Sequence, residues 1–497
     1  MIFLQLHQIT FARLKLHYLR GKVNLYSYIV DKDYQLVIAC CNGMQDVGEE
    51  ENVLSFYDKN YLRLGLPAAL EGILMIFLGN ADIIMVGTLG TAAIAAVSIF
   101  TQPRMMLLTV ARSVAAAVTI LIAERFGRDR HDTYGDVLKK TMVLVVVVLG
   151  VAHIFFFIHL DVILLWMGAQ HDYLPDAMIY GLWTLPAVFI TSITNLMQAV
   201  MFGRGESVTV LSINIQGNIV NVVLNALFIF GLGPFPVLGV LGAALGTIGG
   251  AVWSLVMTMR VLLSWGIFRQ GSYRLTSAYL REFLGVFGGI FSEQGFERIG
   301  MVLYTRMVAE LGTAAYAVHS IAMNFCDFYY NFCNGMGKAS TVLAGHNRDA
   351  EKREEWRRYL WTGMRWSLIF STAAFLLTYV LRSEIFSIYA RDPELLPLGS
   401  LIIAYVAVVS FPEAYQMVCA GILRASGKTT QVAVYSFVSI TILRPIITYI
   451  LLYEFHMGLE GAWLSLAIDQ TMRALCAAAL LRGVYRKAAL GPVQASL

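Results

Sequence analysis

Long apolar segments alternate with short polar connections along most of the chain, from residue 62 to residue 483. A transmembrane helix needs about 20 consecutive, predominantly apolar residues, and each of these segments reaches that length. Several are longer, which indicates tilt or extension beyond the hydrocarbon. The pattern predicts an all-α integral membrane protein with twelve transmembrane helices. The predicted spans are 62–87, 92–123, 138–160, 175–202, 208–231, 239–265, 282–309, 313–345, 360–381, 396–423, 430–453 and 459–482.

The composition requires lipid as the solvent for much of this chain. Of the 497 residues, 58% are hydrophobic and 14% are charged, whereas a soluble globular protein carries about 25% charged residues. The mean hydropathy is +0.65. The basic residues behind the net charge of +4 are scattered over short connections rather than gathered on one face. We therefore expect no nucleic-acid partner.

The charges of the connections predict how the chain is oriented in the membrane. Lys and Arg follow spans 2, 6, 8, 10 and 12, for example at Arg128 and Arg348, whereas the connection after span 3 carries Asp161 and Asp172 and no cation. Cytoplasmic loops carry an excess of Lys and Arg. Both termini are therefore predicted to be cytoplasmic, in a multi-pass protein of the plasma membrane.

The two ends of the chain differ from the apolar part. Charges interrupt every apolar run in residues 1–58, so this N-terminal tail is predicted to contain neither a spanning helix nor a secretory signal. Met44 leads through an acidic stretch into the first span, and we treat it as an alternative start of the chain. Residues 486–497 form a predicted C-terminal tail. The six cysteines contain no CxxC pair, so neither a disulfide nor a zinc site is predicted.

The second half of the chain repeats part of the first half. Residues 89–99 read LGTAAIAAVSI and residues 311–321 read LGTAAYAVHSI, with eight identities in eleven positions at a shift of 222 residues. Gly205 matches Gly427 at the same shift. Small-residue bias could produce one such match, but several in register indicate a duplication.

A further match, at a shift of 219 residues, aligns Gly239 with Gly458. Six spans in each half give both halves the same orientation in the membrane. We therefore predict an N-lobe at 59–270 and a C-lobe at 271–485, related by a pseudo-two-fold axis along the membrane normal. Such repeats, with a cavity between them, suit transport by alternating access.

Short motifs follow one another in a fixed order from about residue 60 to residue 486. They are Pro67, DIIMVG at 82–87 followed by Leu89 and Gly90, NVVLNALFIFG at 221–231, LGVLGAALGT at 238–247, Glu293 with Gln294, LGTAA at 311–315, EAYQ at 413–416 and LRASGK at 423–428. In this order and spacing the chain resembles the multidrug and toxic compound extrusion (MATE) family. The resemblance implies an exporter of drug-like, often cationic, compounds, driven by inward flow of H⁺ or Na⁺ and without a resident cofactor.

The resemblance implies a cation site in the N-lobe. Asp82 matches the cation-binding aspartate of the family, and its expected neighbours are Asn221, Asn225 and Thr247. The two asparagines are four residues apart and share one helix face. Relatives carry Asp at the position of Asn225, so this site holds one formal charge, which favours one proton over Na⁺. The alternative is that Asp82 caps a helix end or faces a connection.

The resemblance also implies an acidic pair in the C-lobe, formed by Glu293 and Glu413, and Glu297 lies one turn beyond Glu293. A charged side chain inside a bilayer costs about 2.5–3.5 kcal/mol, so ion binding is the default expectation. Carboxylates at close range cannot both ionise cheaply, and one is expected to hold a proton. The alternative is a salt bridge from Glu293 to Arg298 or Arg306.

Three arginines inside the predicted spans need partners, because a buried guanidinium must be paired or hydrated. Arg444 precedes Pro445 in span 11, and we expect it to pair with Glu413 or Asp327. The other two arginines lie in span 2, and the sequence offers no partner for either of them. They are Arg104 and Arg112.

Adaptable side chains indicate a predicted substrate cavity. Met75 and Tyr329 are candidates because thioether and aromatic groups form adaptable apolar surfaces and aromatic faces attract organic cations. Asn195 and Gln198, one turn apart in span 4, are polar candidates. Each of these side chains is also of a kind that serves ordinary helix packing.

Two other functions remain open at this point. A flippase of lipid-linked sugars from the same superfamily would have a cationic cavity for pyrophosphate, which conflicts with the acidic C-lobe but agrees with the arginines of the spans. A membrane enzyme acting on a lipid would need clustered His, Asp or Glu, and no HExxH, GxSxG or P-loop pattern occurs. We therefore expect a monomeric transporter of small organic compounds and no enzyme.

Overall fold

The computed structural model describes residues 55–167, 169, 173–232, 234–389 and 395–490. Residues 1–54 of the predicted N-terminal tail, with the alternative start at Met44, lie outside the described residues. Within the first helix, the side chains of residues 75–84 lie outside the described part as well. Both lobes belong to the compact unit that begins at Tyr57.

Twelve long helices follow the twelve predicted spans, and the prediction of an all-α membrane protein is confirmed. They are α1 Phe56–Gly87, α2 Thr91–Gly127, α3 Tyr134–Ile158, α4 Leu174–Arg204, α5 Ser207–Phe230, α6 Val240–Ser264, α7 Ser277–Ala309, α8 Thr313–His346, α9 Arg353–Val380, α10 Leu396–Ala425, α11 Thr429–Glu454 and α12 Gly458–Leu490. Short helices at Leu160–Trp166 and Arg382–Tyr389 precede α4 and α10.

The surfaces of the helices fit a lipid environment. Eight helices in the described part, α2–α6 and α10–α12, are long and apolar enough to cross a membrane. The exposed face of α3 carries Val147, Val148 and Ile154. Exposure of these apolar side chains is unfavourable in water and favourable in lipid. Helices α7–α9 are more polar. Helix α7, for example, carries Glu293 and Arg298 near its middle.

The two lobes repeat the same helix packing. Helix α4 packs against α2, α3 and α6 in the N-lobe, and α10 packs against α8, α9 and α12 in the C-lobe. Glycines at repeat-related positions also share a positive φ, in the left-handed region that residues with a Cβ rarely adopt. The φ pairs are 115° and 102° at Gly90 and Gly312, 92° and 76° at Gly205 and Gly427, and 55° and 57° at Gly239 and Gly458.

Glycines bring α5 and α6 into close contact in the N-lobe. A Cβ on Gly246 would lie 2.0 Å from Oδ1 of Asn225, and a Cβ on Gly250 would lie 2.7 Å from Cβ of Asn221. Small residues four apart let two helix backbones approach closely in a membrane. This packing fixes the two asparagines against α6.

We expect Gly246→Ala to lower the thermal stability of the protein in detergent. The added methyl group meets the fully buried Asn225, and such overpacking costs about 1–3 kcal/mol. Gly288→Ala is the matched control, because nothing lies within 4 Å of its added Cβ and a helical Gly-to-Ala change gains about 0.5–1 kcal/mol. Equal denaturation midpoints for the two variants would contradict the proposed close packing.

The lobes join at the end of the bundle where α2, α6, α8 and α10 terminate, which we call the basic end. An apolar seam crosses from the N-lobe to the C-lobe there. Its buried residues are Tyr61, Leu64, Ala69, Ala123, Met336, Ala339, Val342 and Leu343. Glycine allows the backbones to meet, since a Cβ on Gly335 would lie 2.2 Å from the backbone nitrogen of Ala69.

Candidate functional site

The structure brings three of the four predicted N-lobe site residues together. Nδ2 of Asn221 donates a hydrogen bond to Oγ1 of Thr247 over 3.5 Å, and Asn225 lies one turn further along α5, fully buried. Asp82 lies in α1, but its side chain and that of Met75 lie outside the described part. The role of Asp82 stays a prediction.

A second polar cluster in the N-lobe joins four helices towards the basic end. Nδ2 of Asn214 donates to Oε1 of Glu71 over 2.7 Å, and Nε2 of Gln198 donates to Oδ1 of Asn214 over 2.8 Å. Lys338 of the C-lobe lies 4.0 Å from Glu71. Gln198 is therefore buried in a network that holds Glu71, whereas its neighbour Asn195 is only half-buried.

Glu293 forms a buried ion pair that the sequence analysis did not identify. Its carboxylate accepts hydrogen bonds from Nε and Nη2 of Arg424 over 3.1 and 2.7 Å, and Arg473 lies 4.0 Å away. The alternative partners considered for it, Arg298 and Arg306, are not the ones it uses. Bidentate Arg–carboxylate pairs are among the strongest hydrogen-bonded contacts.

Arg444 pairs with Asp469 of α12, which corrects the expected pairing with Glu413 or Asp327. Nε of Arg444 donates to Oδ2 of Asp469 over 3.0 Å, and Nη2 donates to the same oxygen. Both side chains are at most 2% exposed. The turns of α11 at Phe437–Leu443 are π-helical, just ahead of Pro445, whose ring and missing N–H disturb the regular α-helical bonding.

Among the buried carboxylates of the described residues, Glu413 is the one without a direct partner. Among the described residues, its side chain forms no ion pair within 4.0 Å and accepts no hydrogen bond, although it is only 5% exposed. Its electrostatic neighbours include Arg473, Glu297 and Asp327. The structure thus gathers the predicted acidic residues of the C-lobe but neutralises only Glu293 with a direct partner.

Of the two neighbouring tyrosines of α8, Tyr330 faces the charged groups of the C-lobe, whereas the predicted cavity residue Tyr329 bonds within the lobe. The hydroxyl of Tyr329 bonds to Thr378 of α9, so this ring lies inside the C-lobe and not in a cavity between the lobes. Tyr330 interacts electrostatically with Glu297, Arg473 and Glu413. Sequence alone does not decide between adjacent tyrosines, because the rotation of α8 sets the direction in which each one points.

Ion pairs close the basic end between the lobes. Glu124 of α2 accepts a hydrogen bond from Arg348 over 2.6 Å and pairs with Arg128 over 2.9 Å. Arg128 also donates to Asp349 over 3.1 Å, and that hydrogen bond raises the pKa of the Arg128 guanidinium above its ordinary value. In the described part of the chain, every hydrogen bond between the lobes lies in this half of the bundle.

The described part of the chain offers no metal site. No group of three or more His, Cys, Asp or Glu side chains in this part of the chain could hold a metal ion. The cysteines Cys326, Cys333, Cys419 and Cys476 are unpaired in it.

Comparisons with known proteins place this architecture in a family. Two curated relatives are the uncharacterized transporter YisQ of Bacillus subtilis, 22% identical, and the probable multidrug resistance protein NorM of Thermotoga maritima, 23% identical. Each match covers 84% of this chain, and 93% and 90% of those relatives. The crystal structure of the Vibrio cholerae MATE transporter VcmN superposes with a TM-score of 0.78 at 17% identity, covering 87% of this chain and 97% of that one.

The sequence model of one family matches twice, once in each lobe. The matched segments are residues 67–227 and 290–450, which together make up more than half of the chain. They agree with the repeat seen in the sequence and in the helix packing. The chain belongs to the MatE family of multi-pass membrane proteins.

Proposed function

We propose that this protein is a cation-coupled multidrug exporter that moves organic compounds across the plasma membrane by alternating access. The relatives named as multidrug resistance proteins support this function. The fold supports the mechanism, because two repeated lobes joined at one end can rock about a central substrate site. The basic end is the cytoplasmic end in this proposal, and the protein acts as a monomer.

One observation carries the assignment of the coupling residues in the C-lobe. Four acidic side chains are buried in the described part of the chain, and three of them pair with an arginine: Asp58 with Arg365, Glu293 with Arg424 and Asp469 with Arg444. Glu413 has no such partner. An intramembrane carboxyl without a directly paired counter-charge is the group that binding and release of a proton can use.

We therefore propose H⁺ as the coupling ion, carried by Asp82 in the N-lobe and Glu413 in the C-lobe. The neighbours expected for Asp82 are the neutral amides of Asn221 and Asn225, which would add no second charge for Na⁺. Proton uptake would alter the charge of each lobe between the two orientations of the transporter. Organic cations could then leave in exchange.

Dye export from proteoliposomes tests this function. We expect a pH gradient to drive export of a fluorescent organic cation and a Na⁺ gradient alone to drive none. Asp82→Asn and Glu413→Gln should each lower the pH-driven rate at least about tenfold, since an amide cannot exchange a proton. Glu384→Gln, at an exposed carboxyl of the C-lobe, is the control and should retain the rate.

The outcomes separate the parts of the proposal. Export driven only by Na⁺ would contradict H⁺ coupling and leave the exporter intact. Full pH-driven activity in Glu413→Gln would remove that residue from the coupling. A folded protein that exports no cation under either gradient would contradict multidrug export itself.

A further inference from the structure

Three arginines occupy the space between the lobes deep inside the molecule. Arg112 is followed by 15 residues of α2 and Arg298 is preceded by 21 residues of α7, which places them about 22 and 32 Å along their helices from the basic end. Both side chains are nonetheless exposed, and Arg104, two turns before Arg112, is half-buried. Exposure at this depth means either a lipid-facing side chain or one that lines an internal cleft.

The neighbours of Arg112 decide between these two positions. It interacts electrostatically with Tyr330 of α8, Arg298 of α7, Arg104 of α2 and Glu71 of α1. These groups come from both lobes, so Arg112 faces the cleft between the lobes rather than lipid. The cleft therefore has a cationic wall formed by Arg104, Arg112 and Arg298.

No carboxylate of the described residues pairs directly with this wall. Within the described residues, none of the three arginines forms an ion pair within 4.0 Å, and the buried Nε of Arg104 has no hydrogen-bond partner. The nearby Glu71 accepts a hydrogen bond from Asn214 with Oε1, and its Oε2 lies 4.0 Å from Nζ of Lys338. Asp327 interacts with Arg298 only through space. By contrast, Arg444 and Arg473, which lie inside α11 and α12, each have a carboxylate within 4.0 Å.

We propose that Arg104, Arg112 and Arg298 form a subsite for the anionic group, a carboxylate or a phosphate, of a transported organic compound. Guanidinium groups bind both anions through paired, charge-assisted hydrogen bonds. The subsite rests on the proposed export function and widens its substrate class from organic cations to organic anions. The same chemistry would hold a soluble carboxylate compound or the phosphate headgroup of a lipid-linked sugar.

Dye binding tests the subsite without requiring transport. The full-length protein in lipid nanodiscs is titrated into two xanthene dyes of similar size, the anionic carboxyfluorescein and the cationic rhodamine 123, and fluorescence anisotropy reports the Kd. We expect Arg112→Gln and Arg298→Gln each to weaken binding of the anionic dye at least about tenfold, the value of one charge-assisted hydrogen bond. Binding of the cationic dye should change less than about twofold.

Matched variants exclude a general loss of structure. Arg306→Gln changes another arginine of α7, one that is 79% exposed and lies 3.9 Å from Glu310, and should bind both dyes as the parent does. Arg112→Lys keeps the charge and should retain part of the anion binding, because an ammonium group cannot form the paired hydrogen bonds.

Competition distinguishes the two sources of the anion. Displacement of carboxyfluorescein by benzoate as well as by inorganic pyrophosphate indicates soluble organic anions. Displacement by a polyisoprenyl pyrophosphate at far lower concentration than by inorganic pyrophosphate indicates a lipid headgroup. Either pattern, lost in Arg112→Gln, supports the subsite.

Two results would overturn the subsite: anion binding that is unchanged in both glutamine variants, or binding of both dyes lost to the same extent. Rhodamine export by the parent protein is measured alongside and reports on the proposed function alone. Rhodamine export without any anion binding removes the subsite and keeps the exporter. Anion binding without rhodamine export keeps the subsite and removes the exporter.

Discussion

A disulfide across the seam, in the double variant Gly65→Cys with Ala339→Cys, is expected to stop export completely until it is reduced. A Cβ on Gly65 of α1 would lie 3.2 Å from Cβ of Ala339 of α8, close to the spacing of about 3.5–4.5 Å in disulfides. The nearby side chain of Met336 is long and flexible enough to give way. Because alternating access requires this end to open, a covalent bond across it should trap one state.

Export of the cationic dye after oxidation, and again after dithiothreitol, measures this effect. We expect oxidised protein to fall to the level of empty proteoliposomes and reduced protein to recover. The control pair is Gly337→Cys with Met417→Cys, whose Cβ atoms would lie 3.6 Å apart within the C-lobe and should leave export intact. Undiminished export by fully cross-linked seam protein would show that the basic end does not open during transport.

The apolar pattern predicted each spanning helix, because a bilayer leaves the backbone few other structures. The ends were less accurate at the basic side, where α1, α7 and α9 begin at Phe56, Ser277 and Arg353, about six residues before the predicted spans. The hydropathy pattern marks only the residues inside the hydrocarbon core, whereas a helix continues through charged turns into the headgroup region. Thr276 caps α7 there by accepting a hydrogen bond from the backbone N–H of Tyr279.

The sequence did not predict which charged side chains of the C-lobe pair with each other. Asp469 lies 25 residues after its partner Arg444, and whether two such side chains meet depends on the rotation of α11 and α12 about their axes. A signal was nonetheless present, because Asp469 and Arg473 stand one turn apart inside an apolar span and must both find partners. The internal repeat did not predict this pair either, because the residue that matches Arg444 in the N-lobe is uncharged.

Loss of one charge from the Arg444–Asp469 pair is expected to be the most destabilising single change in the C-lobe. Asp469→Asn leaves a guanidinium that is 2% exposed without its carboxylate, and breaking a buried pair in this way costs about 3–5 kcal/mol. The remaining contacts of Arg444, with Sδ of Met301 at 2.9 Å and the ring of Tyr304 at 5.8 Å, do not neutralise it. The thermal denaturation midpoint in detergent, together with expression yield, measures the loss.

Removing both charges should restore most of that stability, because replacing a buried ion pair by apolar residues of similar volume is often neutral. We therefore expect Arg444→Met with Asp469→Leu to denature near the parent protein and well above Asp469→Asn. Arg444 also acts electrostatically on Glu413, so export by the stable double variant separates structure from coupling. Normal export would make the pair a structural element of α11 and α12. A stable protein with impaired pH-driven export would show that the fixed charge of this pair tunes the carboxyl that carries the proton.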